Sequence, residues 1–133
     1  MIRRLVRWFL VIAYFSAGIL HLLSPAPFLS ITPDWVPFAE AAVLLTGIAE
    51  LAGAIALAQP FNETLRKAGA IGLALYAVCV FPANINHFAI DMARADGGLG
   101  LAYHVPRMAL QPVLVWLALW AGGVTDWPFR RRR

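Results

Sequence analysis

Residues 41–58 form an apolar run long enough to cross a bilayer, and a single carboxylic acid, Glu50, stands near its middle. An acid at that depth costs roughly 2.5–3.5 kcal/mol on insertion scales. Another part of the chain must offset that cost, or the acid must stay protonated. Thr46, Gly47, Glu50, Gly53 and Ala54 recur at spacings of three and four, so they share a broad helical face. Small residues on that face let another backbone approach closely. The run is therefore read as a helix whose acidic side meets protein and not lipid.

Composition extends this reading to the whole chain. Of 133 residues, 61% are hydrophobic and 14% charged, against about 25% charged in soluble domains. Apolar runs at 5–23, 38–58, 68–90 and 102–121 each hold about the 20 residues that span a ~30 Å hydrocarbon core at 1.5 Å per residue. The expected fold is all-α, an integral membrane four-helix bundle with one domain over residues 1–133. The first run follows Arg3, Arg4 and Arg7 as a signal peptide would, but it exceeds the usual core of roughly 7–15 residues. It is read as a retained helix anchored by Arg7 and Trp8 at one interface.

The connections carry their own signals. Pro25, Pro27, Pro33 and Pro37 cannot share a helix interior, yet the segment between the first two runs is apolar, with Phe28, Leu29, Ile31, Trp35 and Val36. It lies in the interface as an aromatic belt or folds over the bundle mouth as a lid. Pro82 is expected to kink the third helix. Pro106 suits the first turn of the fourth, and Pro112 leaves the carbonyl of Met108 unpaired. Gly97, Gly98 and Gly100 mark a flexible turn. Cys79, the one cysteine, has no partner for a disulfide and reads as a small buried hydrophobe.

The net charge of +4 does not indicate nucleic acid. Nine of the eleven basic residues fall on the side of the termini: Arg3, Arg4, Arg7, Arg66, Lys67 and residues 130–133. Only Arg94 and Arg107 fall on the other side. Positions flanking apolar runs are topology signals and headgroup anchors, and they put both termini in the cytoplasm.

The polar residues segregate by depth. His21, Glu40, Glu50, Asn84, His87, His104, Arg107 and Gln111 all fall in the outer half of the four runs. Asn84, His87 and Asp91 share a face of the third run; His104, Arg107 and Gln111 share a face of the fourth. One polar pocket opening outward is expected, with His21, Glu50, Asn84, His87, Arg107 and Gln111 as its ligand-binding residues. Arg107 is the expected partner of Glu50, with Gln111 or Asn84 bridging a depth difference of about 8–10 Å. Packing glue between helices is the alternative, at about 0.6 kcal/mol per contact. His21 and His87 have no carboxylate or cysteine at fixed spacing, so no metal site is expected. Quinone contact or a proton relay suits His, Glu and Arg better.

At these residues the chain resembles the DoxX family of small membrane proteins. The elements run in order: His21, Pro27-Phe28, Ile31-Thr32-Pro33-Asp34-Trp35-Val36-Pro37, Gly47-Ile48-Ala49-Glu50, Arg66-Lys67-Ala68-Gly69, Phe81-Pro82-Ala83-Asn84-Ile85, then Arg107 and Gln111-Pro112. Leu22 stands where the family pattern has Phe. The resemblance implies a four-helix bundle in a bacterial inner membrane and a redox association, since relatives include the membrane subunit of a thiosulfate:quinone oxidoreductase. Two readings follow. The chain is a membrane subunit or partner of a redox or stress-related complex, with quinone or a small lipophile in the outward pocket and a membrane or soluble oxidoreductase as partner. Alternatively it is a non-catalytic scaffold or chaperone-like protein. A small transporter trails both, because no polar path crosses the inner half. No self-contained catalytic motif is present, and homo-oligomerisation stays open.

Overall fold

A computed structural model describes residues 1–129. The basic cluster at 130–133 lies outside the described residues. Every regular element described is helical: α1 Ile2–Leu23, the single-turn α2 Ala26–Leu29, α3 Ala39–Ala58, α4 Glu63–Ala93 and α5 Leu101–Gly122. The four long helices are each long and apolar enough to cross a membrane. α1 packs on α3, α3 on α4, α4 on α5, and α5 back against α1, so the four close into a bundle.

The core occupies the half of the bundle nearest the termini. Leu10, Val11 and Tyr14 of α1 meet Ala54 and Leu57 of α3, Ala70, Leu73 and Ala74 of α4, and Ala118 and Ala121 of α5. Five of these ten are alanine, which lets the helices approach closely. Large apolar side chains such as Phe9, Ile12, Leu45, Ile55 and Leu75 point outward, which in water would be an aggregating surface and in a bilayer is the surface lipid contacts.

The helix ends are closed locally. The Asn62 side chain accepts from the Leu65 N–H at 2.9 Å and caps α4. Gly123, left-handed at φ 84°, ends α5. Arg7 Nε donates to the Ala121 carbonyl at 3.0 Å and Arg66 Nε to the Gly122 carbonyl at 3.4 Å. Part of the basic cluster on the side of the termini therefore caps the negative end of α5.

Three expectations about elements change. α4 begins at Glu63 and ends at Ala93, beyond the expected 68–90 at both ends, so Asp91 belongs to its last turn, with Pro82 inside the helix. Pro106 lies inside α5, beyond the first turn, because that helix begins at Leu101. Cys79 is exposed rather than buried; its side of α4 faces a cavity and not the core.

Candidate functional site: two polar clusters and a cavity between them

The first cluster lies between α1 and α3. His21 Nδ1 is 2.9 Å from Glu50 Oε2, and both side chains are buried. The same Nδ1 lies 2.9 Å from the carbonyl of Ala17, one turn back, and its N–H aims there, leaving Glu50 Oε2 off the donor line. Tyr76 of α4 stands beside Glu50, and Tyr14 stands edge-on to Tyr76 with ring centroids 5.9 Å apart. The Phe28 ring stacks on His21 at 3.6 Å between centroids. Backbone proximity makes this possible: a Cβ on Gly47 would sit 2.7 Å from His21 Cβ, and one on Gly18 would sit 2.9 Å from the Gly47 carbonyl oxygen. Only glycine allows α1 and α3 to approach that closely.

The second cluster joins α4 to α5. Gln111 donates to the carbonyl of Ala77, and Asn84 Nδ2 donates to Gln111 Oε1 at 3.1 Å. Arg107 Nη2 donates to Asn84 Oδ1, and its Nη1 lies 3.0 Å from His87 Nδ1. His87 Nε2 lies 3.6 Å from Asp91 Oδ2, and His104 Nε2 lies 2.9 Å from the same oxygen. The Leu99 N–H also donates to Asp91 Oδ2, at 3.0 Å. The turn that the glycines announce is thus a formed cradle. Gly98, at φ +54°, presses so closely on Asp91 that a Cβ there would lie 2.3 Å from the carboxyl carbon. Within that turn Arg94 pairs with Asp96 at 2.8 Å and holds its carboxyl well below the usual carboxylate range.

Arg107 is therefore not the partner of Glu50. The guanidinium is held by Asn84 and His87, and Gln111 turns to Asn84 and the Ala77 carbonyl. The buried acid has His21 and Tyr76 as its neighbours instead. Of the six expected site residues, Asn84, His87, Arg107 and Gln111 form one network, while His21 and Glu50 form another.

A cavity of about 220 Å³ separates and connects the two. His21 and Tyr76 line it from one cluster, Asn84 and Arg107 from the other. Most of the remaining wall is apolar, with Val43, Cys79, Val80 and Pro82. The 24–38 segment covers it with Phe28, Ile31, Pro33, Trp35 and Val36. Asn86 Nδ2 donates to the Ile31 carbonyl at 3.0 Å and ties this cover to α4. Neither Asn86 nor Tyr76 is singled out by the sequence, and Phe28 is expected only as part of the apolar segment between the first two helices. Asn86 lies off the face shared by Asn84 and His87, and nothing in its spacing announces a bond to a loop 55 residues away.

Among the described residues Arg107 makes no salt bridge; its nearest link to an acid runs through His87 to Asp91. A guanidinium paired only with neutral groups, on the wall of an apolar cavity, is a ready donor for a carbonyl or anionic oxygen.

A family model described as Domain of unknown function (DUF8561) matches residues 10–122, so the chain belongs to that family. Neither the curated proteins nor the solved structures include a significant match.

Proposed function

We propose that this DUF8561 protein is a multi-pass membrane protein that binds a small lipophile with a carbonyl or anionic head, of the quinone class, in the covered cavity. One observation carries the reading: the Arg107 guanidinium, without a carboxylate partner among the described residues, lines a mostly apolar cavity that His21 also lines. Two polar ends about a cavity of about 220 Å³ suit a ring with an oxygen at each end. That volume lies below the roughly 300–1,000 Å³ of pockets for drug-sized ligands, so it suits a head group with its tail left in lipid. Arg107 and Asn84 would hold one oxygen, and His21 and Tyr76 the other. Glu50 would set the orientation and proton of His21. The positive-inside pattern puts both termini in the cytoplasm and this cavity on the outer side. The DoxX-like motifs add a bacterial inner-membrane setting and a redox partner to the proposal.

The rival reading is a scaffold, favoured by the way Glu50 finds its partners inside the protein. Thermal unfolding in detergent separates them. Decylubiquinone should stabilise the wild type, by about 2.7 kcal/mol at a hundredfold excess over Kd. Arg107→Gln should abolish that shift. No shift in a folded wild type favours the scaffold.

A further inference from the structure

We propose that His87, Asp91 and His104 form a site for a divalent transition metal ion at the outer end of α4 and α5. The three side chains each offer a ligand atom, and these atoms all lie within 4.8 Å of one another. His104 is fully buried and Asp91 nearly so. Two imidazole nitrogens on different helices converge on one carboxylate oxygen, at 2.9 and 3.6 Å. Metal–ligand bonds of about 2.0–2.2 Å place neighbouring ligand atoms roughly 3 Å apart, so a modest contraction seats an ion among them. Two histidines and one carboxylate with open positions are a donor set for Zn²⁺ or Fe²⁺.

The surroundings are built to hold the carboxylate. The Leu99 N–H donates to Asp91 Oδ2, and the bare Cα of Gly98 packs against the carboxyl. Support of a ligand by such outer contacts is a property of metal sites. None of the three lines the covered cavity; the two sites meet through Arg107, which lines the cavity and bonds His87.

Loading the site requires an exchange at each histidine: His104 Nε2, which donates to Asp91 Oδ2 at 2.9 Å, must pass its proton to Nδ1 to take an ion, and His87 must do the same. Arg107 can only donate, so His87 Nδ1, 3.0 Å from Arg107 Nη1, accepts and its Nε2 carries the proton. An ion on His87 Nε2 displaces that proton, leaves hydrogen on Nδ1 and forces Arg107 away. The guanidinium therefore opposes metal binding, and its removal should strengthen it. A merely structural trio would not behave in that way.

The test is titration of the purified full-length protein with Co²⁺, read by visible absorption and by bound metal per chain, with Zn²⁺ as competitor. One Co²⁺ per chain is expected, displaced by Zn²⁺. His87→Gln and Asp91→Asn should each weaken binding at least tenfold, and Arg107→Gln should tighten it. His87 is the least buried of the three, so His87→Gln keeps the test meaningful if Asp91→Asn fails to fold. Absence of stoichiometric Co²⁺ in the folded wild type would overturn the proposal. So would binding that is unchanged in a folded His87→Gln.

Discussion

Glu50 is held by the residues around it rather than tolerated by them. His21 approaches from α1 and Tyr76 from α4, and truncating the acid takes a polar neighbour from both, although His21 keeps its bond to the Ala17 carbonyl. Glu50→Ala should destabilise the protein by about 1–3 kcal/mol, the cost of leaving buried polar partners unmade. Glu50→Gln, which keeps an acceptor, should lose much less. Thermal midpoints in one detergent check the order. That Glu50 needs a partner is legible from its depth alone. The identity of the partner is not, because reckoning depth from helix ends assumes that neighbouring helices end level. They do not. His21, two residues from the end of α1, meets α3 at Gly47, which is eight residues into that helix. The ends are offset by about 9 Å, which moves His21 from the expected rim toward the level of the acid. Arg107 is claimed by neighbours on its own side, His87 and Asn84.

Among the elements, the α1–α3 contact does most to place the site, and the small-residue face of α3 predicts it. Gly47→Leu should push the helices apart, separate His21 from Glu50 and cost about 1–3 kcal/mol through overpacking. Gly72→Leu, at a position where an added Cβ meets nothing within 4 Å, should cost far less. The difference between the two thermal midpoints checks this. The faces of α4 and α5 were equally legible: residues three and four apart must align, and Asn84, His87, Arg107 and Gln111 do form one network. The 24–38 segment was legible only as apolar and broken by prolines, and its single-turn α2 was not foreseen. Whether such a segment lies in the interface or over the cavity is decided by contacts remote in sequence, here Phe28 on His21 and Asn86 on Ile31.

Over the whole molecule, apolar packing fills the half near the termini and polar groups gather in the other half. Composition and run length foretell four long apolar helices, and four are present. The proposed topology, with both termini in the cytoplasm, predicts a cytoplasmic 59–62 connection and an outer 94–100 turn. In a Cys79→Ser background, a cysteine at Ala95 should react with an impermeant maleimide in intact cells, and one at Asn62 should react only after permeabilisation. The reverse pattern would invert the topology. The central claim is that the covered cavity binds a lipophile. Its most direct test is photolabelling of the protein in membranes with an azido-ubiquinone, followed by mapping of the adducts. The account predicts adducts confined to residues 28–36 and 79–84, lost in Arg107→Gln. Adducts spread over outward-facing positions such as Leu45, Ile48 and Leu75, with none beneath the cover, would contradict it.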